Sequence, residues 1–277
     1  MSATAVTPVT VIDSGHMTGS AWAELWSYRE LLAFLVWRDL KVRYRQTALG
    51  VAWAVLQPLA TMVVFAVFFG RLAKLPSDGV PYPVFVFAAL VPWTYLAAAV
   101  STGAGALITN QNLLTKVYFP RLLVPAAAVT TPLCDAALTL LLALVLIAWY
   151  GIMPSLALLV VPLLLVFSLL IALGASAWLS ALTVRYRDVR YTLPFAIQLW
   201  LFVTPVAYPS SLIPAQWRVV YGLNPMTTVV DGFRWALLGT PPPPVAVVAA
   251  SVAVTAALLA GGLWYFRREE RSFADLA

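Results

Sequence analysis

The chain has 277 residues, of which 62% are hydrophobic and only 10% charged, with a formal net charge of +6. Soluble proteins carry roughly 25% charged residues; a soluble domain of this size has no room to hide so much apolar surface, so part of its solvent is lipid. A lone cysteine, Cys134, and a lone histidine, His16, exclude an internal disulfide and a Cys/His metal cluster, and argue against a metal or redox-cofactor enzyme.

The first 20 residues contain no apolar core of signal-peptide type, so insertion is expected through the chain's own spans. Residues 1–20, with His16, read as a disordered cytoplasmic tail. Residues 21–270 read as one transmembrane domain, and 271–277 as a second cytoplasmic tail. Within 21–46 the apolar run 31–37 is too short to span, and Arg29, Glu30, Arg38, Asp39 and Lys41 flank it. An amphipathic helix lying in the membrane interface fits both facts. Asp39 and Arg43 are spaced to pair along it. A plain anchor with no further role is the alternative.

About 20 apolar residues in a helix cross roughly 30 Å of hydrocarbon. Five windows qualify, at 51–70, 84–107, 122–149, 155–182 and 245–266. A sixth, 191–208, is short and holds Pro194 and Pro205. The charge pattern requires it. With six spans, 13 basic residues fall on one side: Arg29, Arg38, Lys41, Arg43, Arg45, Lys116, Arg121, Arg185, Arg187, Arg190, Arg267, Arg268 and Arg271. The other side keeps four, Arg71, Lys74, Arg218 and Arg234. The positive-inside rule then places both termini in the cytoplasm.

Asp135 is the exceptional acid within a span. An ionisable group at that depth is a candidate proton site, or a structural acid held by Thr131, Thr139 or a neighbouring helix. Between the fifth and sixth spans, 209–244 mixes prolines with two apolar stretches, 217–223 and 226–238, neither of spanning length. Two short helices re-entering the outer leaflet account for this, and non-helical backbone at that depth needs cover or a wet cavity. A loop packed on the outer surface is the alternative. Phe65, Trp93, Tyr95, Trp200, Phe202 and Tyr208 cluster in the outer halves of spans one, two and five. Aromatic faces pack against the C–H faces of sugars, so these rings are candidates to line a channel; packing between helices or against lipid is the competing reading. The cluster Arg185, Arg187, Asp188 and Arg190 reads as a topology anchor, with lipid-phosphate binding as the alternative. No G-x-x-x-x-G-K-[ST] loop and no Ser-His-Asp set exists in the spans, so energy enters through a partner.

Several local patterns have a family in common. These are Gln57-Pro58 with Val67-Phe68-Phe69-Gly70, Tyr118-Phe119-Pro120-Arg121 with Pro125, Arg187-Asp188-Val189, and Leu223-Asn224-Pro225-Met226 followed by Asp231-Gly232-Phe233-Arg234. In order and spacing, from about residue 25 to 270, the chain resembles the type-2 ABC transmembrane permeases of polysaccharide exporters. The resemblance implies an all-α membrane protein with six transmembrane helices, an interfacial helix and two re-entrant outer helices, in the bacterial inner membrane. It implies a second copy of the chain and two ATP-binding ABC subunits, which hold the ATP and Mg2+, and no cofactor on this chain. It implies a coupling segment at 110–121, with Asn112, Lys116, Tyr118 and Arg121 as candidate contacts to the ATPase. It implies an outer gate shaped by Asn224, Pro225, Asp231 and Arg234. The expected cargo is lipid-linked polysaccharide, O-antigen foremost, with capsule, teichoic acid, drug or lipid as alternatives. A membrane enzyme acting on isoprenoid-linked sugars is the reading from another class, and the chain lacks the paired carboxylates it would need. No nucleic-acid partner is expected.

Overall fold

The computed structural model describes residues 26–45, 50–116, 119–153, 155–186 and 188–270. The two expected tails, His16 and the first residues of the 21–46 segment lie outside them. Every regular element among the described residues is helical. In chain order these are α1 (Arg29–Arg45), α2 (Gly50–Phe65, running on as a π-helical stretch Ala66–Leu72), α3 (Tyr82–Thr109) and α4 (Gln111–Lys116). There follow α5 (Leu123–Thr130), α6 (Leu133–Trp149), α7 (Val161–Arg185, entered through a 3-10 turn Leu156–Val160) and α8 (Val189–Val203). The last three are α9 (Arg218–Tyr221), α10 (Pro225–Leu238) and α11 (Val245–Glu269).

Five stretches are long and apolar enough to cross a bilayer: Ala52–Leu72, Tyr82–Thr109, Leu123–Trp149, Leu156–Arg185 and Val245–Glu269. They coincide with the five clear windows of the sequence. The third is broken, because Pro132 has no N–H to donate and its ring collides with the preceding turn, so α5 stops and α6 starts around it. The sixth window yields α8, an apolar helix of 15 residues, or roughly 22 Å. It ends at Val203 rather than at 208. Thr204 precedes Pro205 and is extended, with φ −90° and ψ 138°, as the residue before a proline prefers.

The core is built around α3. In its most apolar window 78% of residues are buried, against 6% for α2. Helix α3 packs on α7, α5, α10, α6 and α2, and α7 also packs along α11. Small residues permit these approaches, as is usual where lipid supplies no hydrophobic drive between helices. A Cβ on Gly103 of α3 would lie 2.3 Å from Ser176 Oγ of α7, and one on Gly262 of α11 would lie 2.5 Å from the Gly174 carbonyl oxygen of α7. One turn on, Trp178 stacks on Tyr265 at 4.9 Å and donates to the Leu258 carbonyl at 3.2 Å.

The bundle has two unlike ends. At the basic end, Arg185 lies 3.7 Å from Glu269 and Arg121 donates to the Glu270 carbonyl at 2.6 Å. Helix α1 lies here along α5, burying Leu35 among Phe119, Leu122, Leu123 and Ala127. Its other face leaves Phe34, Trp37 and Val42 exposed, as suits a helix at a membrane surface. The expected Asp39–Arg43 pair does not form. Asp39 instead accepts from Arg38 at 2.7 Å, and Arg43 leaves the helix to pair with Asp135 at 2.6 Å. Asp135 is the less exposed of the two acids, at 16% against 27%, so a pair made there is screened less. At the opposite end sit α9 and α10.

Candidate functional site

Helix α2 is little buried because, among the described residues, it packs mainly on α3, α6 and α1. Between α2, α3, α6 and α8 lies a cleft of about 650 Å³. Its polar lining comprises Arg43 and Tyr44 from α1, Gln57 and Thr61 from α2, Thr94 and Ser101 from α3, and Asp135 and Thr139 from α6. Trp93 and Tyr95 also line it. Both rings are otherwise packed into the core, and the Tyr95 hydroxyl donates to the Val129 carbonyl at 3.1 Å. Trp93 meets Trp200 edge-on at 6.1 Å. Phe65 is half-buried against Phe69, while Phe202 is exposed and Tyr208 turns into the α10 end. The six candidate rings therefore do not share one lining within a single copy.

The α10 end gathers all four residues singled out there. Asn224 caps α10 in the manner its side chain favours, accepting from the Met226 N–H at 3.2 Å. Pro225 follows at the first helical position, where its missing N–H costs nothing. Gly239 closes the helix in the left-handed region at φ +71°. The Asn224 amide also ties α8 down, accepting from Trp200 Nε1 at 3.0 Å and donating to Thr204 Oγ1 at 3.0 Å. Arg234, 2% exposed, is caged by backbone. It donates to the carbonyls of Val206 at 2.8 Å, Tyr208 at 3.3 Å and Phe85 at 3.3 Å. Its guanidinium lies 3.6 Å from the Phe85 ring centre, and Asp231 is 3.8 Å away. Burial draws this guanidinium down to about 10 and pushes the Asp231 carboxyl above its usual range, partly countered by Arg234. Tyr82 donates to the Ala207 carbonyl at 2.6 Å, and Tyr208 and Tyr221 meet hydroxyl to hydroxyl. The turn 204–208 is thus held by side chains from α3 and α10.

At the basic end, α4 presents Asn112 and Lys116 on the surface, and Arg121 is joined to the end of α11 through Glu270. Tyr118 lies outside the described residues. Asp135 is held by two groups from α1, the Arg43 guanidinium and the Tyr44 hydroxyl. Thr139 donates to the Asp135 backbone carbonyl rather than to its carboxylate. Burial, reinforced by the bond to Asp135, raises the Tyr44 phenol above its ordinary value. Sequence reasoning missed this trio. The only signal was an acid near the middle of one apolar window and a basic run before another. Among the described residues no three His, Cys, Asp or Glu side chains group so as to hold a metal ion.

Comparison with known proteins matches residues 30–238 to the ABC-2 type transporter family. The chain belongs to the ABC-2 type transporter family. The match runs from the start of α1 to the end of α10, so it takes in the cleft and both ends. An O-antigen export system permease protein, RfbA, of Myxococcus xanthus is 36% identical over 214 residues, 76% of this chain and 81% of the relative. An RfbA of Klebsiella pneumoniae is 27% identical over 74% of this chain and 79% of its own length. The polysialic acid transport protein KpsM of Escherichia coli is 26% identical over 73% and 78%. As an ABC-2 type transporter with several apolar helices, the chain is a multi-pass membrane protein and a transporter subunit.

Proposed function

We propose that this chain is the permease subunit of an ATP-driven exporter that carries lipid-linked polysaccharide of O-antigen type from the cytoplasmic to the outer face of a bacterial inner membrane. The observation that carries the reading is the 36% identity to an O-antigen export permease along three quarters of the chain. Helix α8 is the sixth pass, tilting the charge balance so that the basic end is cytoplasmic and both termini lie inside. Two copies face each other across α2, α3 and α8, whose exposed faces and cleft form the pathway wall; the exposed Phe202 contributes there, and Trp93 and Tyr95 from behind.

No nucleotide loop exists in the sequence, so two copies of a separate ABC subunit bind ATP and Mg2+. They dock on segment 110–121 and on α1, with Asn112, Lys116, Tyr118 and Arg121 at the contact. Nucleotide-driven closure shifts that segment, and the junction of Arg121 with Glu270 passes the shift to α11. At the outer face α9 and α10 form the re-entrant gate, held by Asn224, Pro225, Asp231 and Arg234. A capsule polymer is the second reading, favoured by the likeness to KpsM at 26% identity. Deleting the gene in a strain with no second such permease tests the proposal. The expected result is finished glycan retained inside the cell and lost from the surface; unchanged surface glycan overturns it.

A further inference from the structure

A second cavity, also of about 650 Å³, opens at the basic end between α1, the last turns of α3, α5 and the start of α8. Three arginines line it, Arg38, Arg43 and Arg190, against one acid, Asp39. Arg38 is spent on Asp39 and on the Asn110 side-chain oxygen, both at 2.7 Å. Arg190 is exposed and has no ion-pair partner among the described residues. The cavity is therefore a partly enclosed place with uncompensated positive charge. Planar guanidiniums match phosphate oxygens two at a time.

This vestibule shares a wall with the cleft. Arg43, Ser101 and Pro194 line both. Arg43 stands at the boundary, its guanidinium turned to Asp135 in the cleft and its side chain 39% exposed. A cation so placed has two anions to choose from: Asp135, or whatever anion enters the vestibule.

We infer that the vestibule binds the phosphate-bearing headgroup of a lipid carrier through Arg190, Arg38 and Arg43, and that the Arg43–Asp135 pair is a latch which this headgroup opens. The inference rests on the lipid-linked cargo proposed above. The headgroup neutralises Arg190 and takes one face of Arg43; Asp135 keeps only Tyr44, and α1 loosens from α6 where cavity and cleft meet. Leu193, Pro194 and Ala104 give the cavity apolar walls beside the charge, which suits a lipid more than a free anion.

The test is titration of the purified full chain in detergent with farnesyl diphosphate and with inorganic diphosphate. The expected result is farnesyl diphosphate bound at least about tenfold more tightly than inorganic diphosphate, with Arg190→Gln weakening the lipid about tenfold. Asp135→Asn, by freeing Arg43, tightens it several-fold, an effect that a merely structural Asp135 would not give. Equal affinity for the two probes, an unchanged Arg190→Gln, or weakening by Asp135→Asn overturns the inference. Arg190 is exposed and has no ion-pair partner among the described residues, so its variant decides even where Asp135→Asn does not fold. Failed binding alongside glycan lost on deletion removes this inference alone; intact binding with surface glycan unchanged on deletion removes the proposed function alone.

Discussion

Two arginines, one at each end of the bundle, are held in opposite ways. Arg234 is enclosed by three backbone carbonyls and an aromatic face, with its carboxylate a loose 3.8 Å away. Arg43 is more than a third exposed and rests on one carboxylate at 2.6 Å. A buried charge released from its partners is stranded, whereas a half-exposed one can be re-solvated or re-paired. The α10 end is thus built as a fixed part and the basic end as one that exchanges partners.

Substitutions break or sharpen this contrast, and four outcomes are expected. The largest effect is at Arg234: Arg234→Met leaves the Phe85, Val206 and Tyr208 carbonyls without their donor and Asp231 without its cation. It is expected to cost about 3–5 kcal/mol, read as a collapse of the thermal transition of the purified protein. Asn224→Ala removes a helix cap and the tie to Trp200 and Thr204, for about 1–2 kcal/mol by the same measurement. Asp135→Asn, at the pair whose cation is 39% exposed, is expected to cost about 1 kcal/mol; a loss as large as that of Arg234→Met would erase the distinction between the ends. The smallest effect is a pH slope. Burial raises the folded-state pKa of Asp231 above 3.8, so the stability it contributes is complete below the unfolded value and is lost as pH rises through the folded one. The melting temperature of Asp231→Asn relative to the parent is therefore expected to climb as pH rises above the ordinary carboxylate range, and a flat difference would place Asp231 outside the buried cage.

The sequence made some of this legible and left the rest out for physical reasons. Five spans were readable because an apolar run of spanning length has few other solutions. Helix α10 was readable as the short apolar stretch 226–238; its ends, set by the Asn224 cap and the left-handed Gly239, were not read from the sequence although their residue types suit those positions. The Arg234 cage was half legible: the residue stood out, but its partners are main-chain carbonyls of residues 85, 206 and 208, which carry no side-chain signature. The Asp39–Arg43 pairing failed because i,i+4 spacing is a weak local preference, and Asp135 lies 92 residues from Arg43 along the chain. Nor do ring counts distinguish Tyr95, buried in the core, from Phe202, which faces outward; burial is decided by helix rotation, and the aromatics alone do not fix it.

The proposed export requires an energy source outside this chain and a glycan moved through it. Reconstituting the permease with its ABC subunit in vesicles, with lipid-linked glycan supplied on the nucleotide side, tests both together. The predicted result is glycan reaching the far side, exposed to an added glycosidase, only when both proteins and hydrolysable ATP are present. ATP hydrolysis by the permease alone, or glycan crossing as fast without nucleotide, would contradict it.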